Sequence, residues 1–511
     1  MKKLLLFLLF QFSVFYAWAD KYQDPETKVN YIYTPGSGVA EVYNTDQEMQ
    51  DISGDITLLM KFVVDDKEYK VTSIGYMAFM SCKGLEGITI PMNIESIGSY
   101  AFTLCDNLKR LYIGRSVKDI DDFAFSQSEN ITTIEVDANN PYYDSRNNCN
   151  AIIETNKKRL LLGCMNTTIP EEVEIIGNGA FYYGTGPKDL HISKNVIQIQ
   201  ESSFCTVGGL ETITVDAANP NYDSRNQCNA IIETATNRLI RGCNKTVIPA
   251  DVKEICSRAF MKCAQLESIS IPNGVTIIGS STFMDCISLK NIEIPASVEE
   301  IGRFNPFRGC SSLQTIKIAD GNKNYVTHGN CNAIIEKETG LLISGCIGTV
   351  TIPSLVKEIH DYAFENINQL RSVRIPASVE KFGNSSFVGC NGLTTVTSYS
   401  KKPVSIGSQC FRVKVREPNT YGWTSATLRV PKGCVDIYKA TGGWRNFKNI
   451  VEITVEKGDA NGDDSVNAAD VFEVMNHIMG NSSPYFNEEA ADVNCDGVVD
   501  VADIVAIVNI Y

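Results

Sequence analysis

Twice near the end of the chain, metal-binding residue types recur at the first, third, fifth, seventh, ninth and twelfth places of a twelve-residue stretch. The first set is Asp459, Asn461, Asp463, Ser465, Asn467 and Asp470, and the second is Asp492, Asn494, Asp496, Val498, Asp500 and Asp503. A hard cation such as calcium takes six to eight oxygens, and a loop of this spacing wraps them around one point. The seventh place donates its backbone carbonyl, so Val498 serves there without a side-chain oxygen. Two loops imply two calcium ions, with all twelve residues as metal ligands.

The residues between the ligands fit the same chemistry. Gly497 stands at the sixth place of the second loop, where the chain turns sharply and a left-handed backbone is cheapest without a Cβ. Its counterpart is Asp464, which adopts that conformation less readily, so the first site is expected to be the weaker. Val466 and Val499 hold the eighth places and can point into a small core. Each loop runs into an apolar helical pattern, Val471, Val474, Met475 and Ile478 after the first and Ile504, Val505, Ile507 and Val508 after the second. A solvated acidic tail would lack that periodicity.

This ending resembles the dockerin type I module over residues 458–511. The resemblance implies calcium binding and, as a partner, a cohesin domain on another protein. Dockerins often accompany glycoside hydrolases, so it also implies an alternative role as an accessory component of an extracellular, cellulosome-like assembly for polysaccharide breakdown. The chain departs from the family at the tenth and eleventh loop places, where a Ser/Thr pair often contacts the cohesin. Here they hold Ala468 and Ala469, then Val501 and Ala502. The departure touches the cohesin partner and leaves the calcium ligands intact.

The elements that carry this module begin with an export signal. Met1-Lys2-Lys3, an apolar run over 4–17 and the Ala17-Trp18-Ala19 ending predict a bacterial signal peptide, 1–19, cleaved after Ala19. No later stretch is apolar for the ~20 residues a membrane span needs. The expected location is secreted, extracellular or on the cell surface. Net charge is −14, and residues 457–511 hold one lysine against eleven carboxylates. Without a basic stripe, nucleic acid is a poor partner.

Between these ends lies a repeat. The phrase Ala-Phe-x-x-Cys-x-x-Leu recurs with variations around Phe79, Phe102, Phe125, Phe181, Phe204, Phe260, Phe283, Phe307, Phe364 and Phe387. The steps are 23 or 24 residues apart from three of 56, 56 and 57. A fixed period of this size signals a solenoid whose units bury their apolar faces by stacking. In one unit the alternation Ile88-x-Ile90 predicts a short strand stopped by Pro91, with Gly98 at the corner before Ala101-Phe102. The units look like BspA-like leucine-rich repeats of bacterial surface proteins, as in the Ile-Pro-x-x-Val-x-x-Ile-Gly string at 271–279 and again at 294–302. That resemblance covers 71–411 and implies adhesion to host or microbial partners. The expected fold is a mainly β repeat solenoid with short irregular or helical turns, followed by a small all-α calcium-loop domain. The expected domains are an N-terminal β cap at 20–70, the array at 71–412, a C-terminal cap at 413–456 and the calcium module at 457–511. Trp423 and Trp444 are read as C-terminal cap core, with a sugar platform as the other reading.

Each long step contains a matching insert, with cysteines fifteen residues apart around Ala-Ile-Ile-Glu and a polar centre, as in a hairpin. If each turn is symmetric, the two cysteines face each other across the strands. Cys149–Cys164, Cys228–Cys243 and Cys331–Cys346 are therefore candidate disulfides, with free thiols as the other reading. Six more cysteines, at 82, 105, 263, 286, 310 and 390, follow a repeat phenylalanine by three residues and predict a ladder of small buried thiols.

No catalytic constellation emerges. His191, His328, His360 and His477 are dispersed, and none sits in a nucleophile or zinc motif. Signal, caps, repeats and module account for the chain, so no enzyme activity is expected. What remains is binding by an extended face on which Thr89, Tyr112, Glu135, His191, Thr214, Ser270, Glu293, Lys317 and Arg374 point outward. Such a face suits an extracellular protein or long glycan.

Overall fold

In a computed structural model of the chain, the described residues are 19–43, 51–181, 186–205, 207–328, 331–414, 421–453, 456–463 and 465–510. The signal-peptide segment up to Trp18, and also Asp464, lie outside them. Two compact units are found, Met1–Leu266 and Glu267–Tyr511.

In the first unit each coil gives a strand to one sheet and a two-residue strand to another. Ser53–Thr57, Gly84–Ile90, Arg110–Ile113 and Thr133–Val136 form a parallel sheet in which Thr89 pairs with Tyr112 and Tyr112 with Glu135. The shorter strands Ser96–Ile97 and Asp119–Ile120 continue a second parallel ladder. Leu85, Ile88, Ile90, Ile94 and Ile97 all point into the core, because alternation in a strand sends every second side chain to one face. Behind them the phenylalanines stack face to face. Phe79, Phe102 and Phe125 have ring centroids 4.9 and 5.1 Å apart and planes within 4°. Each ring removed from water contributes about 1.5–3 kcal/mol, and the 23-residue period puts each over the last. The backbone follows suit, with the N–H of Phe79 donating to the Ala101 carbonyl and that of Phe102 to the Ala124 carbonyl, both at 2.7 Å.

The second unit repeats this plan. Phe283 stacks on Phe307, Phe364 on Phe387, and Phe387 on Phe411. Its last parallel sheet joins Ser372–Ile375, Thr395–Ser398, Thr427–Val430 and Asn449–Glu452. Helix α1 (Val435–Ala440) and Trp444 complete the apolar cluster at this end. The Trp444 indole donates to the Val404 carbonyl at 2.8 Å, so this tryptophan is core. Three further helices follow, α2 (Ala468–Ile478), α3 (Glu488–Ala491) and α4 (Val501–Val508).

The inserts are antiparallel hairpins spliced into the ladder. Ala151–Glu154 pairs with Arg159–Gly163, and the latter runs parallel to Ile175–Ile176. A buried asparagine pins each insert to the coil before it. The Asn140 side chain donates to the Gly114 and Val117 carbonyls and accepts from the N–H groups of Tyr142 and Tyr143. Asn219 and Asn322 make the same kinds of bonds. The glycine before each second cysteine admits a ring. A Cβ at Gly163, Gly242 or Gly345 would collide with Phe181, Phe260 or Phe364.

The candidate disulfides are corrected: Cys149, Cys164, Cys228, Cys243, Cys331 and Cys346 are all free and buried. Near each turn the register is the expected one, with Ile153 opposite Leu160. A β-bulge then adds one residue, so Ile152 faces Leu162 and Ala151 faces Gly163. The same shift occurs in the other two hairpins. It moves each cysteine pair out of opposition. Cys149 and Cys164 accordingly join different core clusters. The ladder thiols are buried as expected, and they also donate: Cys105 to the Phe79 carbonyl, Cys310 to Phe283 and Cys390 to Phe364, at 3.0–3.1 Å. Burial pushes the thiols of Cys82 and Cys390 up to about 12.

Candidate metal centre

The two loops are built on one hydrogen-bond plan. The position-1 carboxylate accepts from the N–H of position 5, Asp463 to Asp459 at 2.7 Å and Asp496 to Asp492 at 3.1 Å. The position-3 amide oxygen accepts from that same N–H, in Asn461 and in Asn494. Position 9 caps the following helix, with Asn467 accepting from the Ala469 N–H and Asp500 from the Ala502 N–H. Position 12 closes the box. Asp470 accepts from the N–H groups of Asn461 and Asn467, and Asp503 from those of Asn494 and Asp500. Each loop is thus drawn inward by the helix it starts, and an acidic group at each helix N-terminus also meets the positive end of its dipole.

Ligand oxygens gather most clearly in the first loop. One carboxylate oxygen from each of Asp459, Asp463 and Asp470 lies within 4.8 Å of the others. Asp470 is buried, which raises its carboxyl above the ordinary value, while the N–H groups of Asn461 and Asn467 pull it down and the charge of Asp463 raises it again. Three carboxylates held this close repel until a cation joins them. In the second loop Gly497 at place six has φ +86°, the left-handed turn expected there. The expected ranking of the two sites rests on Asp464, outside the described residues.

The module's core is small. Ala460, Val474, Ala491 and Ile507 are buried, with Val466, Val471, Phe486, Val493, Val499 and Ile504 packed against them. Val466 and Val499 therefore do point inward. Met475, Ile478, Val505 and Val508 do not: they belong to open faces. On α2, Phe472 is 64% exposed beside Met475; on α4, Val501 and Val505 are 63% and 56% exposed beside Val508. The sequence pattern mixed core and open positions, because both recur at helical spacing.

Two contacts seat the module on the array. Tyr485, between α2 and α3, meets Tyr399 edge-on with centroids 5.4 Å apart. The Arg374 guanidinium donates to the Asn461 carbonyl at 3.4 Å. A side chain at Gly462 would meet the Tyr399 hydroxyl at 3.3 Å. Beside this seat lies a cleft of about 740 Å³ lined by residues that include Tyr399, Lys401, Pro431, Glu488 and Asp492.

The model for the BspA type leucine rich repeat region matches six copies over 62–156, 162–229, 238–333 and 343–417, which is most of the chain. The chain belongs to the BspA type leucine-rich repeat family. A dockerin type I domain matches 457–510. Among solved structures, a leucine rich cell surface protein from Faecalibacterium prausnitzii is 24% identical, with TM-score 0.40, over 74% of this chain and 94% of that one. A leucine-rich repeat protein from Eubacterium ventriosum is 22% identical, with TM-score 0.39, over 72% and 94%. One from Bacteroides ovatus is 22% identical, with TM-score 0.30, over 73% and 93%. None of the curated proteins compared with the chain matches it.

The dockerin assignment makes calcium the ion of these loops. Repeats and dockerin together give a protein-interaction role, and both kinds of region are typically non-catalytic and extracellular or surface-bound. No helix among the described residues is long and apolar enough to cross a membrane.

Proposed function

We propose that this is a non-catalytic, exported interaction protein. Its array, 71–412 between caps at 20–70 and 413–456, binds an extracellular protein or glycan, and its dockerin, 457–511, takes two calcium ions and docks a cohesin. The ligands are Asp459, Asn461, Asp463, Ser465, Asn467 and Asp470 for one ion, and Asp492, Asn494, Asp496, Val498, Asp500 and Asp503 for the other. The signal at 1–19 directs export.

The observation that carries the docking half is the pair of equivalent apolar faces. Ala468, Phe472 and Met475 on α2 match Val501, Val505 and Val508 on α4 by loop position. Neither face is used by the module's own core. Exposed apolar faces on so small a domain fit a protein partner. With alanines and valine in place of the family's Ser/Thr pair, these faces favour a cohesin surface that is itself apolar. The dockerin also supports the second reading, an accessory role in an extracellular polysaccharide-degrading assembly.

Capture by the mature full-length protein from extracts of its native cell surface, with calcium and with chelator, separates these readings. Calcium-dependent recovery of a cohesin-bearing protein is expected, and co-recovery of polysaccharide hydrolases favours the assembly. Identical recovery with chelator counts against docking through the dockerin.

A further inference from the structure

The outward row on the array's strands changes character along the second unit. Glu293 and Lys317 pair in register and are exposed. Farther along, Arg374 pairs with Thr397, and Thr397 with Arg429. Here Arg374 and Arg429 are half-buried, and Thr397 is 7% exposed. The Arg374 guanidinium reaches the carbonyl of loop residue Asn461, so the dockerin's first loop lies over this stretch of the row. The Tyr485 hydroxyl is buried without a hydrogen-bond partner among the described residues. A phenol is left in that state when packing of its ring, and not its oxygen, decides where it goes.

Among the described residues, these two contacts reach the first loop. Position 4 is Gly462 in the first loop and Cys495 in the second, with φ +68° and +62°. Both need the left-handed backbone, yet glycine stands where the Tyr399 hydroxyl closes in, and the exposed cysteine stands where it does not. Asp459 is buried and Asn461 half-buried, whereas Asp492 is half-buried and Asn494 exposed. The converged carboxylates are those of the held loop.

We propose that Arg374, Tyr399 and Tyr485 are positioning residues for the first calcium loop. By pressing it between α2 and the last coils they hold Asp459, Asp463 and Asp470 in ion-ready geometry. The first site is therefore the tighter of the two, the reverse of the order expected from Asp464 alone, and its occupancy stabilises the coils that seat it. This inference rests on reading the two loops as calcium sites.

The test uses the full mature chain with one loop disabled at a time. Asp492→Ala leaves the first site and Asp459→Ala the second, and calorimetric titration with calcium reads each alone. In the Asp492→Ala background, Tyr485→Ala is expected to weaken binding about tenfold, the size of a lost aromatic contact. In the Asp459→Ala background it is expected to change nothing. Tyr485→Phe keeps the ring and is expected to bind as the parent does, and Arg374→Ala to lose about threefold at the first site alone, as for one hydrogen bond. Calcium should also slow hydrogen exchange in Thr395–Ser398 in the Asp492→Ala protein and not in the Asp459→Ala protein. Equal effects of Tyr485→Ala and Arg374→Ala on both sites, or none on either, overturn the proposal. Absence of uptake by both parents overturns the calcium reading and this inference with it, a result distinct from failure of the seat alone.

Discussion

The two dockerin loops share a hydrogen-bond plan and differ in what stands beside them. Asp459 and Asp492 each accept the fifth N–H, and Asp470 and Asp503 each tie loop to helix. Around the first loop the array supplies Arg374 and Tyr399. The second loop has Asp492 and Gly497 on the wall of an open cleft. The lesson is that ligand spacing makes a site, while the neighbours decide how much ordering the ion must do on arrival. A loop already held loses less conformational freedom on binding, and that difference appears as affinity.

Removing calcium from both loops gives the largest effect. Among the described residues the module fully buries five apolar side chains, those of Ala460, Val474, Ala490, Ala491 and Ile507, too few to outweigh eleven carboxylates in a segment this short. Chelation is expected to abolish the hydrogen-exchange protection of α2 and α4 and to leave the coils around Phe102 protected. Protection at Thr395–Ser398 should fall part of the way, since those strands lose the first loop as a cover. Unchanged exchange in α2 and α4 after chelation would show that the module folds without its ions.

Most of the fold was legible because it depends on period. The 23-residue spacing of Phe79, Phe102 and Phe125 is the distance that stacks one ring on the next. The loops were legible for a similar reason, since their ligands lie within twelve residues and need no distant partner. The pairing of insert cysteines failed at one added residue per hairpin: a bulge leaves the turn symmetric and changes only the register beyond it. The Asn140 staple was hidden because its partners, the Gly114 and Val117 carbonyls, belong to backbone. The seat was hidden because it joins Arg374 to Asn461 across 87 positions, and neither residue's spacing marks that meeting.

A smaller effect comes from position 4. Gly462→Ala keeps the left-handed backbone at a cost of about 1–2 kcal/mol. It also sets a methyl 3.3 Å from the Tyr399 hydroxyl. The expected result is roughly a tenfold loss at the first site and none at the second. Cys495→Ala exchanges one side chain for another at an open position and is expected to leave both affinities in place. If Gly462→Ala binds as the parent does, the array does not press on this loop.

The smallest effect concerns the thiol that the open loop displays. Cys495 is exposed, whereas the other sixteen cysteines are buried. Iodoacetamide on the folded protein is therefore expected to label Cys495 alone, and in denaturant without reductant to label all seventeen. A shortfall of two, four or six in denaturant would restore one or more of the hairpin bridges. The adduct at Cys495 projects from a surface where substitutions change stability within about 0.5 kcal/mol, so second-site affinity should move by no more than about twofold. A larger loss would mean that this loop also rests against a neighbour, and the contrast between the two sites would then come from their ligands instead of their surroundings.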